Sequence, residues 1–510
     1  MMLCKNITRL FSGGGFMTRK IFNTTFLCLF LILFATAQQP GEKSYKDESV
    51  LPAGKKGERI QSVIDTVNSN DPGRIRRFIE EECTERFRNH ASMDEHINVF
   101  RNTYLQTGGL AFHSIRTYVP ERKGETVVIL KDQNFDSWQS ILVRFSNDEN
   151  ALINSLRFGT ARTPSNVTES ALTEKDVIQD VQKLVKRVCE RDVFSGTLLI
   201  AKGDDVLFFH SCGEASKRFH SPNNIDTKFN LGSMNKMFTS TAIVQLAEKG
   251  KLSFADTINT YVDESWLPEE ITSKVTIHHL LTHTSGLGSY FNETFMNGSR
   301  ARFRTLEEFK PLLKDEKLAF EPGTRFRYSN TGMFLLGVVI ESVSGQSYFD
   351  YIRENIYKPA GMTDSDSYEM DEPVENLAIG YYRDQESPYG WRNNYYLHVI
   401  KGGPAGGGFS TVKDLHRFAR ALLTGKLVSP ESFHIMWKDH SGEFYGYGFR
   451  LDDGPLGRVV GHSGGFPGIN ANLDIFVDAG YIVAVMTNYD QAASPVARKI
   501  KKLLERTQQH

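Results

Sequence analysis

The chain has 510 residues, a formal net charge of −1, 40% hydrophobic and 24% charged residues. That balance suits a soluble globular protein long enough for two or more domains. Near-neutral charge without a basic block excludes an electrostatically driven nucleic-acid role.

Residues 1–37 read as a signal peptide, with Met17 as an alternative start. Arg19 and Lys20 precede the apolar run Phe26 to Phe34, and Ala35-Thr36-Ala37 gives a small-x-small cleavage site. The apolar run is short for a membrane span, so export without a stable span after cleavage is expected, to the periplasm or outside the cell. Removing this segment leaves Cys83, Cys189 and Cys212. Cys189 and Cys212 flank a predicted hairpin and either pair or remain free buried thiols; no disulfide scaffold is implied.

Residues 38–56 are polar and rich in turn formers, which predicts a tether. A small α+β domain is expected over 57–160. Ile60, Val63, Ile64 and Val67 mark one helix, Asp71-Pro72 opens a second through Ile79, and Met93 to Tyr104 makes a third. Four alternating runs follow, at 110–119, 126–130, 140–145 and 151–158. Helices followed by a meander resemble the cystatin and nuclear-transport-factor folds. Its expected role is packing, dimerisation or substrate delivery. Residues 161–172 read as a linker, and 173–507 as the larger domain.

That domain opens with a helix over 177–188 and a hairpin of 196–201 with 205–210. Three strand-like runs return late, at 446–451, 469–477 and 481–487, before a last helix over 492–504. One antiparallel sheet flanked by helices, an α+β class, accounts for this order. The stretch FNLGSMNKMFTSTAIVQLAEKG, from Phe229 to Gly250, predicts a helix apolar over most of its circumference, with Ser233 in its first turn and Lys236 three residues on. Residues at i and i+3 share a face, so hydroxyl and amine come within reach. A buried lysine loses proton affinity and can act as a base for the serine. A second Ser-x-x-Lys begins at Ser410, where Ser410 or Thr411 reads as a helix N-cap with Asp414 as its capping-box partner.

Tyr328-Ser329-Asn330 precedes the apolar helix MFLLGVVIESVSG. A tyrosine held against Lys236 and partly ionised would accept the serine proton and pass it to a leaving group, with Asn330 binding a substrate amide and Lys236. Tyr290-Phe291-Asn292 repeats the pattern in a polar loop. His462-Ser463-Gly464 lies on the edge of a predicted strand, and His440-Ser441-Gly442 repeats it in a loop. His279 and His283 have metal-ligand spacing but no HExxH glutamate, so they read as packed histidines, and no metal or cofactor is expected. Gly402 to Gly408 reads as a flexible wall of the site.

Ser-x-x-Lys, Tyr-x-Asn and His-x-Gly in this order resemble the serine hydrolases related to class C β-lactamases, a superfamily that includes DD-peptidases, D-amino-acid-specific peptidases and family VIII esterases. LLTHTSGL (Leu280–Leu287) and GGFSTVKDLHRFA strengthen the resemblance, which spans about 171–504. It implies a β-lactamase/transpeptidase-like fold, Ser233 as acylated nucleophile, Lys236 and Tyr328 as the proton-handling pair, and Asn330 as substrate positioner. The backbone N–H groups of Ser233 and Gly465 would form the oxyanion hole, with Ser463 and Gly464 beside them. Class C β-lactamases carry Lys-Thr-Gly at the third motif, so His462 argues against β-lactamase as the main activity. It would face a substrate carboxylate, charging as pH falls, or bond the Tyr328 hydroxyl. The expected substrate is a D-amino-acid peptide, a cell-wall fragment or a small acyl ester, with peptidoglycan as a partner. The rival expectation is a catalytically idle sensor or scaffold binding peptidoglycan or peptide.

Overall fold

The computed structural model describes residues 44–507 apart from 123, 385 and 386, so the expected signal peptide lies outside the described residues. Among the described residues no helix is long and apolar enough to cross a membrane. The chain divides into two compact units between Thr168 and Glu169.

In the first unit, helices α1 (Lys55–Ser69), α2 (Pro72–Glu82) and α3 (Met93–Thr107) precede the strands. Strands β2 (Leu110–Val119), β3 (Thr126–Asp132), β4 (Trp138–Phe145) and β5 (Ile153–Thr160) follow. Asp71 caps α2 through the amides of Gly73 and Arg74, and Ser92 opens α3 with a full capping box to Glu95. Val63, Val67, Phe78 and Phe100 from the helices meet Val128, Leu130, Ile141 and Val143 from one sheet face.

One sequence expectation is corrected here. Part of the tether is strand β1 (Ser44–Glu48), which pairs with β2 and makes a five-stranded antiparallel sheet. Its side chains are mostly polar; what docks it is a buried ion pair, with Arg116 Nε 3.0 Å from Asp47 Oδ1. Asp47 also accepts from the Ser165 amide at 2.8 Å, so the first half of the linker packs on this unit as well. A buried carboxylate bonded on every side is tolerated, whereas an unpaired one would be expelled.

The second unit is built on a six-stranded antiparallel sheet. After helix α4 (Glu174–Glu190), strands β6 (Gly196–Lys202) and β7 (Asp205–Cys212) come early. Strands β8 (Arg450–Gly454), β9 (Gly457–Phe466), β10 (Ile469–Phe476) and β11 (Tyr481–Thr487) come late. Their spatial order is β8-β9-β10-β11-β6-β7. Ile482, Ala484 and Met486 enter the large core with Leu415 and Phe418, while the alternate residues Val483 and Val485 are buried on the opposite face. This is the antiparallel sheet flanked by helices that the sequence predicts.

Two strand boundaries differ from expectation. Residues 446–449 form a turn, with the Gly446 amide bonded to the Phe449 carbonyl, and the strand starts at Arg450. The His-Ser-Gly triplet lies within the ten-residue β9, whose glycines hide it from a propensity reading. Cys189 and Cys212 are joined by a disulfide, which resolves the alternative left open by the sequence.

Candidate active site

Gly232, with φ +51°, turns the chain into a 3₁₀ turn over Gly232–Met234, and the α-helix α5 begins at Asn235 and runs to Glu248. Ser233 therefore stands on the tight turn before the helix rather than within it. From Leu231 to Leu246 every residue is buried except Ser233. In this enclosed segment Ser233 alone is part-exposed.

Lys236, fully buried, turns its Nζ to three oxygens. Ser233 Oγ lies at 3.1 Å, Asn330 Oδ1 at 3.0 Å, and the Ala405 carbonyl is also in contact. Burial, and next the charge of Arg450, holds its proton affinity well below that of an ordinary lysine. A neutral amine has two N–H bonds and one lone pair. The Ala405 carbonyl and Asn330 Oδ1 can only accept, so in the neutral amine they would take the two N–H bonds and leave the lone pair facing Ser233 Oγ. Asn330 Nδ2 donates to Ser289 Oγ at 3.2 Å, which fixes the amide orientation.

The loop supplying the Ala405 carbonyl is anchored, not flexible as its composition suggests. Asn235 Nδ2 donates to the Gly403 carbonyl at 2.6 Å, and Thr239 Oγ1 to that of Pro404 at 2.8 Å. The Tyr348 hydroxyl bonds Thr239 Oγ1 at 2.8 Å and accepts from Asn235 Nδ2 at 3.1 Å. A Cβ on Gly402 would stand 1.8 Å from the Gly408 amide, so glycine here permits a close backbone crossing. The sequence reading missed Asn235, Thr239 and Tyr348, whose signal was their polarity within an otherwise apolar core.

Helix α6 (Asn330–Ser344) brings in the second motif. Ser329 caps it, accepting from the Gly332 amide at 2.8 Å and donating to the Gly288 carbonyl at 2.8 Å. The Tyr328 ring centroid is 4.8 Å from Lys236 Nζ, and its hydroxyl is hydrogen-bonded with Ser233. Burial pushes the Tyr328 phenol up to about 12, opposed by the Ser233 bond and Arg450. Burial thus favours a neutral phenol over the partly ionised one that the sequence suggests.

The third motif lies against Ser233. A Cβ on Gly464 would meet the Leu231 carbonyl at 1.9 Å and the Ser233 amide at 3.0 Å, and one on Gly232 would reach the Gly465 amide at 3.0 Å. Ser463 is half-buried and Gly465 exposed. His462 departs from both expected roles. It is buried, with Nε2 3.1 Å from the Tyr445 hydroxyl and Nδ1 2.6 Å from the Ser463 carbonyl, and burial keeps its proton affinity well below the ordinary range. The exposed cation near these groups is Arg450, which lies opposite Gly461 in the β8–β9 ladder and was not singled out by any motif.

The repeated motifs separate cleanly. Thr411, not Ser410, caps helix α7 (Val412–Leu423), accepting from the Asp414 amide at 3.2 Å. The Asp414 carboxylate turns to Ser365 and Arg417 instead of closing a capping box. Ser410 bonds Ser365 Oγ at 2.8 Å. Tyr290 is buried among Phe291, Phe309 and Phe334, and Asn292 caps a short helix. His440 stacks on Tyr447 at 4.8 Å. His279 closes a capping box with Thr276, and the His283 ring packs 4.3 Å from that of Tyr328.

The Beta-lactamase family model matches residues 177–507. The chain belongs to the beta-lactamase family. It is 34% identical over 343 residues to penicillin-binding protein 4* of Bacillus subtilis (strain 168), covering 63% of this chain and 75% of that protein. The crystal structure of a penicillin-binding protein from Bacillus halodurans superposes with a TM-score of 0.58 at 33% identity, over 62% of this chain and 98% of the other. A D-stereospecific amidohydrolase from Streptomyces sp. matches with a TM-score of 0.53 at 25% identity, over 63% and 96%. This family membership makes the chain a serine hydrolase with amide- and ester-cleaving relatives.

Proposed function

We propose that this chain is an exported hydrolase that cleaves D-amino-acid peptides, cell-wall fragments or small acyl esters through an acyl-enzyme on Ser233. The observation that carries the reading is the arrangement around Lys236 Nζ, with two pure acceptors and Ser233 Oγ at 3.1 Å. Lys236 takes the Ser233 proton as Oγ bonds the substrate carbonyl carbon. The amides of Ser233 and Gly465 stabilise the oxyanion. Tyr328, neutral at the outset, donates its proton to the leaving group as the carbon–nitrogen or carbon–oxygen bond breaks, and recovers one from the Lys236 ammonium. Water then enters, and the same groups act in reverse to free Ser233.

Asn330 orients the substrate amide beside Ser463 and Gly464, and Arg450 rather than His462 meets a substrate carboxylate. Kinship with penicillin-binding proteins and the amidohydrolase supports an amide substrate, and peptidoglycan as its source, outside the cytoplasm. The test is mass spectrometry after a fluorophosphonate probe, followed by a panel of esters, D-peptides and a chromogenic cephalosporin. The adduct is expected on Ser233, absent in Ser233→Ala and unchanged in Ser410→Ala. Labelling that persists in Ser233→Ala overturns the assignment.

A further inference from the structure

Tyr328 lies in an irregular stretch, between the turn at 322–323 and the first residue of α6, and no ladder of its own holds it. What flanks it is one residue. The His283 carbonyl accepts from the Arg327 amide at 2.8 Å, and His283 Nδ1 accepts from the Ser329 amide at 3.2 Å. These two bonds hold the amides of the residues on either side of Tyr328. The imidazole is tilted 43° against the Tyr328 ring at 4.3 Å and is backed by Tyr445 at 4.7 Å. We propose that His283 is a positioning residue that sets the orientation of Tyr328 for proton transfer. This rests on the reading of Tyr328 as the group that hands the proton to the leaving group.

Three features argue for more than core filling. His283 is fully buried yet carries φ +58°, a left-handed conformation that histidine adopts more readily than bulky apolar residues. That backbone aims its carbonyl and its ring at the same tripeptide. The Ser329 amide can only donate, so Nδ1 carries no proton and the tautomer is Nε2–H. Nε2 has no hydrogen-bond partner among the described residues, which a residue selected for packing alone would not need to accept. Burial, chiefly, holds its proton affinity well below the ordinary imidazole range, which disfavours a ring charge that would draw Tyr328 toward its phenolate.

Two substitutions separate the parts of the clamp. His283→Asn keeps a short acceptor and tolerance of the left-handed backbone but removes the ring; His283→Phe keeps a ring and removes the acceptor. Each is expected to lower kcat for acyl transfer about 10–100-fold while KM moves by no more than about twofold, the signature of misplacement rather than lost binding. In the Tyr328→Phe background the same substitutions should cost little further, because the group they position is gone. An equal fold-loss in both backgrounds overturns the proposal. Acyl transfer unaffected by Tyr328→Phe itself would instead remove the reading on which it rests. The unsubstituted enzyme gives an independent check. With ¹⁵N-labelled histidine, the His283 resonances, assigned through their contact with the Ser329 amide, should report a neutral Nε2–H ring between pH 6 and 8. An Nδ1–H tautomer or an imidazolium refutes the clamp, even if no variant folds.

Discussion

Replacing Lys236 with methionine tests the electrostatics of the site through stability rather than turnover. The lysine is fully buried and its proton affinity is depressed, chiefly by burial, from an ordinary 10.5. In the unfolded chain it binds a proton below 10.5; in the folded chain it does so only below its lowered value. Between those two values the unfolded state holds one more proton, so the stability of the native enzyme rises with pH at about 1.4 kcal/mol per pH unit from this group. The penalty is fully present below the folded value and relieved as pH approaches 10.5. Lys236→Met removes that slope. It also leaves the Ala405 carbonyl and Asn330 Oδ1 without their donor, a pH-independent loss of about 1–3 kcal/mol for each buried group. The two effects oppose each other at any one pH but differ in pH dependence. Urea denaturation of both proteins from pH 7 to 10 should show the native enzyme gaining on the variant at about the predicted slope over part of that range. Parallel stability curves would refute a neutral buried lysine, and with it the lone-pair argument for Ser233.

Other expectations follow from specific contacts. Gly464→Ala would place a Cβ 1.9 Å from the Leu231 carbonyl and 3.0 Å from the Ser233 amide, so the strand must move. Urea denaturation should show a loss of about 1–3 kcal/mol, and a single-turnover assay acylation slowed about 10²-fold or more. Thr411→Ala should cost about 0.5–2 kcal/mol by the same denaturation, with acylation unchanged, as expected of a helix-capping hydroxyl bonded to the Asp414 amide and not to Ser233, Lys236 or Tyr328. Because His462 is held neutral by burial, the ratio of kcat/KM for a carboxylated to a neutral ester should stay flat from pH 8 to 5.5. Arg450→Gln should lower that ratio about tenfold, the worth of one charge-assisted contact.

Much of the site was legible because its chemistry is local. Ser233 and Lys236 lie one helical turn apart, and the apolar residues around them announce a buried helix in which a lysine needs a reason. Tyr328 and Asn330 announce themselves through the helix they precede. The parts that escaped depend on partners distant in sequence. His283 stood out for its spacing from His279 and its place in LLTHTSGL; its grip on the Tyr328 segment depends on a bond between residues 46 apart in sequence that no local pattern encodes. Arg450 looks like any strand-edge arginine until β8 aligns it with β9. Strand β1 reads as a tether because its docking depends on Asp47 meeting Arg116 across the sheet. The glycines of 402–408 suggest freedom by composition, whereas the fold uses their missing side chains for contact.

The enclosure of residues 231–246, with only Ser233 reaching solvent, has a consequence for how this molecule breathes. Catalytic loops in many enzymes belong to the least protected part of the structure and open independently of the rest. Here the amides from Met234 to Leu246 can reach solvent only when the central core itself comes apart. Their deuterium uptake should therefore be among the slowest in the chain and should track global unfolding. Loss of the nucleophile's geometry and loss of the native state would then be a single event.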